Sequence, residues 1–256
     1  MPLRTSCREG TPSRVELWTA DRVAAVSFYG RLFGWEFEDR PGGSVALGQD
    51  GVVAGITVAP DGASAWRTYL AVDDLDAAAA RVGAAGGALL APPPGAASTV
   101  TGADGAGRAA LATDASGVTV GLWQAGPEAG ATVVNEPGAY TWSELMTADR
   151  DAALRFYQDV FGLTTRTVDL AGTPFTGLVA GDDMIGGIIP PPREGVESRW
   201  IVYFAVTDVA AVTARAAELG ATVVHGPVDT PVGPLAALRD PQGAAFSVWA
   251  VNGATG

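Results

Sequence analysis

The sequence predicts an α+β protein of two tandem domains, each made of two βαβββ modules. Three observations lead there. Residues 15–34, VELWTADRVAAVSFYGRLFG, repeat as SELMTADRDAALRFYQDVFG at 143–162, with Glu16 matching Glu144, Asp21-Arg22 matching Asp149-Arg150, and Phe28-Tyr29 and Phe33-Gly34 matching Phe156-Tyr157 and Phe161-Gly162. The register continues after small changes of offset that mark loop insertions. WRTYLAVDD at 66–74 answers to WIVYFAVTD at 200–208, and DASGVTVGLW at 114–123 to DPQGAAFSVW at 240–249. Within each copy the order strand, helix, three strands then occurs twice. The domains are placed at 12–125 and 139–251, with the Gly- and Pro-bearing stretch 126–138 as linker.

The elements of the first copy follow in order. VELWTA alternates as a half-buried strand does, and DRVAAVSFYGRLFG sets Val23, Val26, Phe28 and Phe33 at near-helical spacing, started by Asp21 and stopped by Gly34. Strands are expected over 35–39, 44–47 and 52–58, the last two joined by the hairpin turn Asp50-Gly51. The second module opens with a strand over 68–72, and an alanine-rich helix over 75–85 is closed by Gly86-Gly87. Strands follow near 88–91, 109–113 and 118–124.

Composition narrows the function classes. Hydrophobic residues make up 48% and charged residues 17%, enough for packed cores nearly throughout the 256 residues. The formal charge is −12 and all 16 basic residues are arginine, which argues against a nucleic-acid partner because a phosphate backbone needs a basic footprint. The one cysteine, Cys7, allows no intrachain disulfide and reads as an incidental thiol. MPLRTSCREGTPSR lacks an apolar signal core and no run of about 18 apolar residues exists, so the expectation is a cytoplasmic protein with no membrane partner.

A doubled βαβββ module whose first helix sets Asp21 ahead of Phe28-Tyr29 and Phe33-Gly34, repeated at Asp149, Phe156-Tyr157 and Phe161-Gly162, and closing with Asp240-Pro241-Gln242-Gly243, resembles the vicinal oxygen chelate (glyoxalase, bleomycin resistance, dioxygenase) superfamily, in its tandem two-domain glyoxalase-like branch. The first copy departs at the closing motif, with Asp114-Ala115-Ser116-Gly117. The resemblance implies that each domain curls eight mostly antiparallel strands into a cup. It also implies that members with a metal hold it on the concave face through His, Gln or Glu from the opening strand of each module and Glu or its equivalent from the last. In this sequence those positions fall on Arg14 and Trp142, on Gly55 or Thr57 and Gly187 or Ile188, on Arg67 and Ile201, and on Gly121 and Ser247. Divalent metals need at least three converging N, O or S ligands, so no metal and no other cofactor is expected. His225, the single histidine, sits in VVHGP away from these positions and reads as an ordinary loop or strand-end residue.

Alternation along the strands predicts what faces each cup instead. In copy one the set is Arg14, Glu16, Trp18, Arg67, Tyr69 and Trp123; in copy two it is Trp142, Glu144, Met146, Tyr203, Ser247 and Trp249. Flat rings with a few polar groups suit a small-molecule pocket, although the same rings also serve as core. Glu16 and Glu144 are the candidate proton-transfer residues, since a carboxylate facing an apolar cavity has a raised pKa. A structural salt bridge is their other reading. Modules in this superfamily pair within a domain or across two, so Glu16 shares a cavity either with Tyr69 and Trp123 or with Tyr203 and Trp249.

The reading that requires least is a metal-independent binding protein for an aromatic or apolar metabolite, of the antibiotic or natural-product binding type, acting as monomer or homodimer. The alternative is a hydroxylase-, isomerase- or cyclase-like tailoring enzyme that uses Glu16 or Glu144. A metal-dependent glyoxalase or extradiol dioxygenase is disfavoured, because those reactions use the metal to bind vicinal oxygens. Closed cups would instead indicate an interaction module.

Overall fold

The computed structural model describes residues 3–40, 43–91, 100–101 and 107–250; Val251, the expected end of the second domain, lies outside them. The first module comprises β1 (Pro12–Thr19), α1 (Arg22–Phe33), β2 (Glu36–Arg40), β3 (Gly43–Gly48) and β4 (Gly51–Val58). The second comprises β5 (Ala65–Ala71), α2 (Leu75–Ala84), β6 (Ala88–Leu89), β7 (Val100–Thr101), β8 (Gly107–Thr113) and β9 (Thr119–Ala125). The third runs β10 (Tyr140–Met146), α3 (Arg150–Phe161), β11 (Thr164–Leu170), β12 (Thr173–Ala180) and β13 (Asp183–Ile189). The fourth runs β14 (Arg199–Ala205), α4 (Val209–Glu218), β15 (Thr222–Val228), β16 (Leu235–Arg239) and β17 (Ala245–Trp249). The short strand β7 was not anticipated.

All four helices start the same way. Asp21, Asp74, Asp149 and Asp208 each accept a hydrogen bond from a backbone N–H of the first turn, satisfying a donor that the helix itself cannot. Gly34 and Gly162 end α1 and α3 in the left-handed conformation, where a side chain would be strained. The apolar stripe of α1 differs from the expected one. Ala25, Phe28 and Tyr29 are buried while Val23 is 75% exposed, because the helix packs the face carrying residues 25, 28 and 29 onto the sheets and Val23 lies on the opposite side.

The strands form two open mixed sheets, ordered β2-β3-β4-β1-β5-β9-β8-β6, with β7 beside β8, and β11-β12-β13-β10-β14-β17-β16-β15. Antiparallel β1-β5 and β10-β14 pairs stand at the centres, so the two modules of each copy join into one sheet. Glu16 therefore shares its sheet face with Tyr69 and Trp123.

The helix-covered faces of the two sheets meet each other. One core joins Val15, Leu17, Phe28 and Tyr29 of the first copy to Phe204 and Phe246 of the second, and another joins Leu70, Leu75 and Val82 to Phe156 and Tyr157. Tyr29 donates to Asp240 at 3.0 Å and accepts from the Trp66 indole at 2.9 Å, so the closing-turn aspartate of one copy seats the helix tyrosine of the other. The stretch expected as a linker is anchored to the first sheet, with the N–H groups of Thr132 and Val133 on the Val52 carbonyl. Among the described residues no helix is long and apolar enough to cross a membrane.

Candidate functional site

With helices on one face of each sheet, the other face is the cup, and strand alternation places alternate residues of β1, β4, β5 and β9 on it. Glu16 lies opposite Gly55 on β4 and Arg67 on β5; Arg14 lies opposite Tyr69, which lies opposite Gly121. Two glycines provide the room. A Cβ at Gly55 would stand 2.6 Å from the Arg14 guanidinium, and one at Gly121 would stand 2.1 Å from the Tyr69 ring.

Glu16 is fenced by donors. Its Oε1 accepts from Thr57 Oγ1 at 2.7 Å and from Arg14 at 3.2 Å, and its Oε2 accepts from the Tyr69 hydroxyl at 2.8 Å and the Trp18 indole at 3.3 Å. Arg14 lies 5.0 Å from the centre of the Trp123 ring, a cation–π arrangement. Burial and the Glu16 charge together hold the Tyr69 hydroxyl well above its usual pKa, so it stays a hydrogen-bond donor. A space of about 10 Å³ lies among Arg14, Glu16, Arg40, Ser44 and Thr57, room for roughly one water.

The second cup has the same frame and different chemistry. Glu144 lies opposite Gly187 and Ile201, and Tyr203 lies opposite both Trp142 and Ser247. The Tyr203 hydroxyl donates to Glu144 Oε2 at 2.6 Å. Burial raises the Glu144 pKa, and hydrogen bonds from Tyr203 and Trp142 offset part of that rise. Burial, and next the Glu144 charge, raise the Tyr203 hydroxyl, which also bonds Ser247. The Trp142 and Trp249 rings meet edge to face with centres 6.3 Å apart, and the Trp249 indole donates to the Val232 carbonyl at 3.1 Å. Trp142, Glu144 and Trp249 are each half-buried, whereas Glu16 is 8% exposed and Trp123 1%. Met146 is buried on β10 opposite Ile189 and Arg199.

The structure thus brings Arg14, Glu16, Trp18, Tyr69 and Trp123 into one network and Trp142, Glu144, Tyr203, Ser247 and Trp249 into another. Arg67 faces the first cup with its Nε buried and without a partner. Positions to which the resemblance assigns metal ligands hold guanidinium, indole, glycine or aliphatic groups, and among the described residues no three His, Cys, Asp or Glu side chains converge. This donor set does not fit a divalent metal. His225 is exposed inside β15 opposite Ala237, so the loop or strand-end placement is corrected to mid-strand; this edge strand shifts register on either side of it. Cys7 is half-buried, and burial pushes its thiol up.

Two features escaped the sequence reading. Thr57 was considered only as a ligand position, yet it makes the shortest contact to Glu16; its signal is the parallel register of β1 and β4, which alternation alone does not supply. A cavity of about 590 Å³ lies outside both cups, over Phe33, Trp35, Glu36, Gln49 and Glu136, between the end of α1 and the 126–138 stretch. No single repeat contains it, so no motif signals it.

Comparisons with known proteins agree with this architecture. The profile described as Glyoxalase/Bleomycin resistance protein/Dioxygenase superfamily matches residues 139–248, and one described as Glyoxalase-like domain matches 14–112. “Putative glyoxylase CFP32” of Mycobacterium bovis is 44% identical over 97% of this chain and 97% of its own. Anthracycline biosynthesis protein DnrV of Streptomyces peucetius is 33% identical over 93% of this chain and 92% of its own. The crystal structure of a Mn(II)-bound glyoxalase from Novosphingobium aromaticivorans superposes with a TM-score of 0.64 at 18% identity, covering 94% of this chain and 82% of that one, a likeness of fold.

Proposed function

The chain belongs to the glyoxalase/bleomycin resistance protein/dioxygenase superfamily, and from that premise we propose that it is a small-molecule-binding protein. Its cups hold a planar aromatic or otherwise apolar metabolite of the natural-product type without a metal ion. The observation that carries this reading is the convergence of Trp142, Trp249, Tyr203 and Glu144 on a half-open cup face, where rings supply contact area and one acid fixes orientation. The 33% identical relative named for anthracycline biosynthesis supports a polycyclic aromatic class of ligand. We place the protein in the cytoplasm, as a monomer or homodimer.

The test is titration of chelator-treated protein with neutral polycyclic probes such as 2-(hydroxymethyl)anthraquinone, read by tryptophan fluorescence. Saturable quenching is expected, weakened when Trp142 or Trp249 becomes Phe. Binding that needs an added divalent metal would remove the metal-free reading. Quenching indifferent to both substitutions would place the ligand elsewhere, for instance at the Trp35 cavity.

A second reading is favoured by one specific observation, the half-buried Glu144 carboxyl held by the Tyr203 phenol, whose burial raises its pKa. A desolvated carboxyl held by a phenol is suited to take a proton from a bound ligand and return it at another atom, an isomerisation or cyclisation that needs no oxidant. Glu16 is less suited, because four donors already occupy its oxygens. Glu144→Gln would then abolish turnover and leave binding within about twofold; undiminished turnover would remove this mechanism.

A further inference from the structure

The stretch that leads into each copy folds the same way. Gly10 donates to the Ala71 carbonyl and Gly138 to that of Ala205, and the turns Arg8 to Thr11 and Glu136 to Ala139 are closed by N–H to carbonyl bonds of 3.0 and 2.8 Å. Glu136 therefore stands where Arg8 stands. The hairpins that these two side chains approach also correspond, since the Gly48–Gly51 pair closes the β3-β4 turn over Gln49-Asp50 and the Ala180–Asp183 pair closes the β12-β13 turn over Gly181-Asp182.

What lies between turn and hairpin differs. In the second copy the chain fills the space itself: the Arg8 guanidinium rests on Gly181, where a Cβ would collide with it, and Nη1 donates to the Ala180 carbonyl at 3.3 Å. In the first copy the equivalent place is the cavity of about 590 Å³, a size within the range of small-molecule sites. Its frame is fixed by backbone geometry. The Trp35 indole donates to the Gly138 carbonyl at 2.7 Å, and Gly138 holds the positive φ that a type II turn requires after Pro137. Val53, the extra residue of a β-bulge in β4, stands in the cavity wall.

The lining has one sign of charge. Phe33, Trp35 and Val133 form an apolar wall, Glu36 and Glu136 supply carboxylates, and no arginine or histidine lines the cavity among the described residues. Carboxylates beside aromatic rings favour a cation, through charge-assisted hydrogen bonds and attraction to the ring faces. The second copy already seats a guanidinium at this position, from its own chain.

We propose that the Trp35 cavity is a ligand site separate from both cups, and that it takes an organic cation. A planar amidinium or guanidinium head lies between Glu36 and Glu136, and an apolar body lies against Phe33 and Trp35. The ligand thus supplies from outside the group that Arg8 supplies within the second copy. Neither this site nor the reading of the cups depends on the other.

The experiment compares 2-naphthamidine with its neutral isostere 2-naphthamide by calorimetric titration of the full chain. The amidine is expected to bind at least about tenfold tighter, with the advantage shrinking as salt rises from about 50 to 500 mM. Glu36→Gln and Glu136→Gln are each expected to weaken the amidine about threefold or more and to leave the amide within about twofold. Glu136→Arg, which gives the first copy the arrangement of the second, is expected to abolish the preference altogether. Equal affinity of the two probes for the unsubstituted chain, or binding of neither, overturns the proposal even if the variants fail to fold. A preference that survives in folded Glu136→Arg protein also overturns it, by showing only general attraction to an acidic chain. A preference lost in Glu144→Gln and kept in Glu136→Arg overturns it too, and places the cation in the second cup.

Discussion

The two cups are built on one frame and differ in what surrounds their single carboxylate. In the first, Arg14, Thr57, Trp18 and Tyr69 all donate to Glu16, and the acid is 8% exposed. In the second, Trp142 replaces Arg14, Ile189 stands where Thr57 stands, and Glu144 accepts from Tyr203 at 2.6 Å and from Trp142. The same residue at the same register position is a structural keystone in one half and a desolvated, proton-competent group in the other. Duplication preserves backbone register, while partner side chains decide the chemistry, so a matched residue in a repeat does not imply a matched role.

This contrast is most sharply broken by removing each acid. Glu16→Ala takes the carboxylate from the buried Arg14 and the acceptor from Thr57 and Tyr69, while the Trp18 indole keeps the Tyr69 oxygen, so a loss of about 3–5 kcal/mol is expected in urea denaturation. Glu144→Ala should cost about 1–2 kcal/mol, because the Tyr203 phenol and the half-buried Trp142 indole lose their acceptor. Equal losses would show that the two acids are equivalent after all.

The next largest effect tests the space beneath the tyrosines. Gly121→Ala puts a Cβ into the Tyr69 ring, and Tyr69 is 2% exposed with little room to retreat, so a loss of about 2–3 kcal/mol is expected. At its counterpart, Ser247→Ala removes only a hydroxyl bonded to Tyr203 and should cost about 1 kcal/mol. Thermal or urea unfolding of the pair checks both, and a tolerated Gly121→Ala would mean that the first cup is looser than its packing indicates.

The smallest effect concerns pH. The native pKa of Glu144 lies above its ordinary value of 4.5 because of burial, so the folded state binds the proton more tightly than the unfolded chain does. Its contribution is fully present below about pH 4.5 and is lost as pH rises through the native value. Asp240, also raised by burial, acts in the same direction, so the informative quantity is a difference between proteins. Unsubstituted protein should lose more stability than Glu144→Gln as pH rises from 4.5 toward neutrality. Parallel stability curves would show that Glu144 is well solvated.

Much of the fold was legible because strand alternation, Asp caps and Gly stops are local properties of the backbone. Asp21, Asp74, Asp149 and Asp208 cap the four helices, and the cup-facing sets of Arg14, Glu16, Trp18, Tyr69 and Trp123 and of Trp142, Glu144, Tyr203, Ser247 and Trp249 follow from period two. Val23 escaped because helical spacing allows several stripes and only packing selects one; it proved 75% exposed.

The amino-acid order alone determined four modules, their element order and the side chains that point into each cup, since these depend on neighbours a few residues away. Only the tertiary structure decided that modules of the same copy share a sheet, that Tyr29 of one copy meets Asp240 of the other, and that Glu16 is saturated while Glu144 is desolvated. Beside the neighbours Arg14 and Trp18, those outcomes depend on groups brought together from 41 to 211 positions apart, and the energy of a charge is set by what is near it in space.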